Sequence, residues 1–247
     1  HSISSLKKLY ITFCDDINFT REINFKKNII GVITTTDIAK KFKSKTVWAV
    51  NDPRTIFFSV QNKTLDKFLN LKTKIGKNLK RKPTTFIENK GVIIGNNVTL
   101  GHGVIICAGT TIGDNCKIGP YSCLGGEGYQ YQRTIKSKSE ILSVRHTGGV
   151  SIGDGVDIKE FCSIHRALFS WDLTVIDDNS KIDSNSHIGH GCKVGKSVFL
   201  CSHSNLSGNN FVGDNSYIGP GANVPNRITI QSNVKLSIGS TVTTDIE

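Results

Sequence analysis

The chain has 247 residues, 37% of them hydrophobic and 21% charged, and its 31 Lys+Arg against 20 Asp+Glu leave a formal charge of +11. The length allows one large domain or two modest ones. A pI near 9.3 ordinarily points to nucleic acid, but residues 1–90 hold 19 basic and 7 acidic side chains and the remainder 12 and 13, so the excess belongs to one segment and no nucleic-acid partner is expected.

Residues 1–85 alternate strand-like and helix-like patches, "LYITFC", "NIIGVITTTDIAKKF" and "KTVWAVNDPRTIFFSV", and predict a small α/β domain. Pro53 marks a turn after a buried strand. The basic run "LKTKIGKNLKRK", residues 71–82, leads into the boundary. A solvated face is the ordinary reading of such a run. Contact with phosphates of a nucleotide or of a membrane surface is the other.

From residue 86 onward a second pattern takes over. An aliphatic residue recurs every six positions, at Ile94, Leu100, Ile106, Ile112, Ile118 and Leu124. It resumes at Ile152, Ile158 and Ile164, then runs unbroken from Ile176 through Ile182, Ile188 and nine further hexads to Val242. Small or aliphatic residues such as Cys116, Ser180, Cys192 and Ala222 follow four positions later. Six residues fit neither the helical period of 3.6 nor strand alternation. They fit a short strand and a turn, repeated, so that coils stack as parallel strands around aliphatic columns. Residues 125–151, "GGEGYQYQRTIKSKSEILSVRHTGG" and its flanks, interrupt the pattern and predict an excursion loop.

The seven cysteines include no Cys-x-x-Cys pair, and Cys116, Cys162 and Cys192 fall in the small inward slot. They read as packed hydrophobes. With no signal peptide and no long apolar run, the expectation is a cytoplasmic protein without stable membrane insertion.

Within the repeat, "NSHIGHGCKVG" places His187 and His190 three positions apart. If a coil takes three hexads, or 18 residues, His190 stacks beside Gly208 and His187 beside Asn205. A glycine beside an imidazole leaves room for a substrate, and Asn205 is in place to orient His187. A surface histidine bonded at a turn is the plainer alternative.

"VRHTGGVSIGDGVDI" and "TVIDDNSKIDSNSHIGHGCKVG" resemble the hexapeptide-repeat N-acyltransferases. They are similar to the group that acylates a UDP-3-O-acylglucosamine in lipid A synthesis and to its relatives acting on nucleotide-linked amino sugars. The resemblance covers residues 85–247. It implies a mainly β fold, a left-handed parallel β-helix (86–247) preceded by the small α/β domain (1–85). It implies a homotrimer with sites between neighbouring helices. The apolar outward residues Phe199, Phe211 and Tyr217 agree with such an assembly. His190 matches the family's proposed general base. Asp183 matches a substrate contact and His187 a frequent second histidine, and His187, His146, Asn205, Glu127 and Tyr129 are assigned to substrate with Asp183. Gly208, Gly219, Gly221 and Ala222 are assigned to the acyl donor, since bare backbones admit a pantetheine arm. The sequence departs from the family where Ser184, Gly191 and His165 replace its usual residues, and "LFSWD" is an insertion.

The chemistry implied is attack of an amine on a thioester. A sugar amine titrates much like an α-amino group, about 7.7–8.0, and a histidine near about 6.5 is a workable base. Amides at Gly189 or Gly208 are candidates for the oxyanion. A site that only aligns the two substrates is the rival mechanism. The donor is expected to be acyl-CoA, used as a co-substrate with no tightly bound cofactor, because "STVTTDIE" carries none of the helical tail that the lipid A enzyme offers to acyl carrier protein. That enzyme, with its carrier protein, is the alternative. A non-catalytic structural β-solenoid is the alternative of another class. Zinc needs three histidines converging at about 2.0–2.1 Å, and the coil stacking sets His187, His190 and His203 apart, so no metal is expected.

Overall fold

The computed structural model describes residues 9–64, 67–135, 137 and 139–247. The chain divides into two compact units, residues 1–65 with 129–145, and residues 66–128 with 146–247.

The first unit has three parallel strands in sequence order, β1 (Tyr10–Cys14), β2 (Ile29–Thr34) and β3 (Thr46–Ala49). Helices α1 (Thr20–Phe25), α2 (Thr36–Ala39) and α3 (Pro53–Lys63) connect and follow them. Cys14, Ile23, Ile29, Val32, Ile38 and Phe42 form its core. α3 starts where Asp52 accepts the Thr55 N–H at 3.1 Å and Pro53 takes the first turn. Phe57 and Phe58 then reach the Phe13 ring, with centroids at 5.3 and 5.6 Å.

The expected excursion loop is narrower than 125–151 and is not a free loop. Residues 129–145 belong to this first unit and carry an antiparallel hairpin, Tyr131–Arg133 with Ile141–Ser143. Asn62 holds the hairpin at both ends of its amide, donating to Ser143 O at 2.7 Å and accepting from Arg145 N–H at 2.9 Å. Gly149–Ile152 is already a β-helix strand.

The second unit is the left-handed parallel β-helix. Its short strands fall into three parallel sheets of eight, eight and seven, every third strand of the repeat rejoining the same sheet. The hexad residues Ile182, Ile188 and Leu206 are fully buried and stack in register across coils. The small slot four residues on is buried too: Cys116, Cys162 and Cys192 lie in the core, and Ser180 and Ser186 donate to Gly195 O and Cys201 O at 2.7 and 3.0 Å. Burial of a hydroxyl is tolerated because each finds a carbonyl.

Turns need a left-handed residue, and asparagine supplies it at Asn97, Asn115, Asn179, Asn185, Asn209, Asn215 and Asn233. At the corner that holds Asn97, Asn115 and Asn179, a ladder of aspartates ties coil to coil. Asp114 accepts the Asn96 N–H at 2.6 Å, Asp154 the Asp114 N–H at 2.7 Å, and Asp178 the Asp154 N–H at 3.0 Å. These backbone donors hold the Asp114 and Asp178 carboxyls below the usual range.

The helix begins before the expected boundary at 85/86. Lys74–Ile75, Lys80–Arg81 and Phe86–Ile87 already pair with the next coil. The aliphatic signal fades there because a terminal coil has a neighbour on one side only. Ile75 is 49% exposed although its partner Ile94 is 2%.

Replacing Ile182 by Ala should cost about 2–5 kcal/mol in urea unfolding, as for buried aliphatics in close-packed cores. Lys117→Ala, on an exposed outward position, should stay within about 0.5 kcal/mol.

Candidate active site

Four imidazoles gather in the second unit. His187 is the outward residue of strand His187–Ile188, and His190 stands in the turn after it. His165 ends the strand Ser163–His165 that pairs with the first. His146, fully buried, precedes strand Gly149–Ile152. The His165 and His187 rings meet edge to face with centroids 4.6 Å apart, and His146 and His190 lie 5.4 Å apart.

Two glycines leave room for these rings. A Cβ added at Gly208 would fall 2.3 Å from His190 Cε1 and within 2.8 Å of both ring nitrogens. The ring therefore lies flat on the Gly208 backbone, and no larger residue fits. A Cβ at Gly128 would fall 2.9 Å from His146 Nε2 and 3.2 Å from His165 Nδ1.

Burial lowers the proton affinity of the cluster. It depresses His165 to about 4, helped by the positive charges that His187 and His190 would carry. It also pulls His187 and His190 below the ordinary histidine value, the Asp172 carboxylate opposing the shift at His190. These rings are neutral near pH 7, which is the form a general base must have. His190 Nδ1 is buried and meets no hydrogen-bond partner among the described residues.

The stacking of His187 on Asn205 is as expected, but Asn205 does not orient it. Its amide donates to Asn223 Oδ1 at 2.6 Å, along its own column, and the group facing His187 is the His165 ring. Asp183 is exposed at the corner before this strand, its Oδ1 accepting from Ser184 N–H at 2.8 Å. Glu127 is exposed in the second unit, next to Gly128. Tyr129 falls in the first unit, 88% exposed and edge-on to Tyr131.

The donor assignments need correction. Gly208 touches His190, so its bareness serves the histidine. Ala222 has no exposure and points into the core, because it occupies the small inward slot. Gly219 is buried, its missing Cβ replaced by the backbone of Leu236 and Ser237. Gly221 alone is exposed, with open space around it. The suggested oxyanion amides are both engaged, Gly189 with Leu206 O and Gly208 with Asn226 Oδ1, each at 2.7 Å.

His165 and Asp172 were not picked out as site residues from the sequence. The "LFSWD" insertion stretches the coil, so Ser163 pairs with His187 at a separation of 24 and the 18-residue count passes His165 by. Asp172, inside that insertion, binds Lys193 Nζ at 2.7 Å. Among the described residues, no three His, Cys, Asp or Glu side chains are grouped to hold a metal ion.

The fold and site define a parallel β-helix protein that packs four histidines together, three of them half-buried and neutral near pH 7. A family model for the bacterial transferase hexapeptide, six repeats, matches residues 91–126 and 173–208. The chain is 33% identical over 117 residues to an acyl-carrier-protein–UDP-N-acetylglucosamine O-acyltransferase of Campylobacter concisus, covering 47% of the chain and 41% of that relative. It is 30% identical over 160 residues to a UDP-3-O-acylglucosamine N-acyltransferase of Herminiimonas arsenicoxydans, covering 62% and 44%. Among solved structures, a UDP-N-acetylglucosamine acyltransferase from Campylobacter jejuni superposes with a TM-score of 0.61 at 25% identity, over 70% of this chain and 64% of that one. The chain thus spans less than two thirds of each of these relatives. Its fold is a left-handed β-helix containing hexapeptide repeats, and the chain resembles the UDP-3-O-acylglucosamine N-acyltransferase group.

Because His165 titrates lower in the folded than in the unfolded chain, its contribution to stability is complete above about pH 6.5 and is lost as pH falls through about 4. His165→Gln should therefore lose less stability than the parent between pH 7 and pH 4.5, as read by urea unfolding at each pH.

Proposed function

We propose that the chain is an N-acyltransferase that moves an acyl group from acyl-CoA to the amine of a nucleotide-linked amino sugar. The observation that carries the reading is His190, a neutral imidazole lying flat on Gly208 with Nδ1 unbonded. The acyltransferases to which the chain is similar suggest the reaction class.

In this reading the amine nitrogen attacks the thioester carbonyl carbon, and the C–N bond forms as His190 takes the nitrogen's proton. The tetrahedral intermediate collapses, the C–S bond breaks, and the thiolate leaves to receive that proton. His187, braced by His165, positions the acceptor and does not transfer the proton. A general base contributes about 10²–10⁴-fold. Asp183, Glu127 and Asn205 remain candidates for the sugar nucleotide, and Gly221 for the donor. The same reading includes a homotrimer, supported by Phe199 and Phe211, which are 55% and 45% exposed.

A second reading has a hydroxyl as acceptor and acyl carrier protein as donor, and the name of the Campylobacter concisus relative favours it. The product separates the two, since an ester is cleaved by hydroxylamine and an amide survives it.

Thiol release should be measured with nucleotide amino sugars against acyl-CoA and against acyl carrier protein thioesters. His190→Ala is expected to lower kcat/KM by about 10²-fold or more at neutral pH, partly restored at higher pH where more amine is already neutral. His187→Ala should cost less and show no such recovery. Nearly full activity of His190→Ala across pH 6–9 would leave alignment as the mechanism.

A further inference from the structure

We propose that the first coil of the β-helix is a docking surface for an anionic lipid bilayer. Residues 71–82 carry six cations, Lys72, Lys74, Lys77, Lys80, Arg81 and Lys82, and no acid. All six are exposed, and none enters an ion pair among the described residues.

The fold spreads these charges rather than converging them. Lys74 and Lys80 lie on strands of two different sheets, each pairing only with the coil that follows. Arg81 sits opposite the buried Leu100, in a slot that every later coil fills with an inward aliphatic, yet it is exposed. Such an arrangement cannot close around one phosphate. It matches a broad surface bearing many.

Apolar side chains stand among the cations. Leu71 is 52% exposed, Ile75 49% and Phe86 53%. Lysines alone are a common device for blunting edge strands, but that device has no use for exposed leucine, isoleucine and phenylalanine. Cations beside apolar groups are what a lipid interface rewards, since the charges meet anionic headgroups while the apolar groups enter the headgroup–acyl boundary. No helix among the described residues is long and apolar enough to cross a membrane, so the attachment is peripheral.

The test is co-sedimentation of the full chain with phosphatidylglycerol–phosphatidylcholine vesicles and with pure phosphatidylcholine vesicles. Binding to the anionic vesicles only, weakened by salt, is expected. Combined Lys74→Glu, Lys77→Glu, Lys80→Glu and Lys82→Glu should lower the partition coefficient by at least about 100-fold, with the circular dichroism spectrum unchanged. Leu71→Ser with Ile75→Ser should weaken binding while leaving its salt dependence in place. Equal binding to both vesicles, or parental binding by the charge-reversed variant, overturns the proposal. Binding to soluble polyglutamate with none to anionic vesicles also overturns it, in favour of an acidic protein partner.

Discussion

The structure depends on one constraint: each coil of the β-helix must lay its backbone in register on the next, so that each aliphatic residue continues the column of its own sheet. The column fixes phase. Once Ile188 lies over Leu206, His187 has to lie over Asn205, and the ring of His190 has to meet whatever residue occupies position 208. A slip of one residue would turn the buried set outward. The turn asparagines and the aspartate ladder serve the same register from the corners, where left-handed backbone and unpaired N–H groups would otherwise resist stacking.

The site is a local departure that this regularity makes affordable. Here outward strand positions and one turn carry imidazoles, at His165, His187 and His190. Rings placed against one another lose water, and their proton affinity falls with it. The same packing excludes larger side chains at Gly128 and Gly208. The cluster is thus built from the pleat and the pitch of the coil, with Asp172 as a nearby negative charge drawn from an insertion.

Much of this was legible in the sequence. The hexad phase marks the buried aliphatics residue by residue, and the 18-residue stacking places Gly208 under His190. What escaped did so for identifiable reasons. His165 lies across an insertion that changes the spacing to 24. The first coil carries Arg81 where the hexad rule looks for an aliphatic and leaves Ile75 half exposed, because an end coil buries only one side. The hairpin at 131–143 is held by Asn62, 81 residues earlier, a pairing no periodicity records. Ala222 occupies the small inward slot of its hexad, and that slot, not a donor contact, sets its place in the core.

The most direct measurement of the central claim is a nuclear magnetic resonance titration of the His190 ring, with and without a nucleotide amino sugar. The account expects a neutral imidazole at pH 7, protonating below about pH 6.5, whose ring resonances shift when the acceptor is added. A His190 ring that is cationic at pH 7, or that does not respond to any acceptor which the chain acylates, would contradict it.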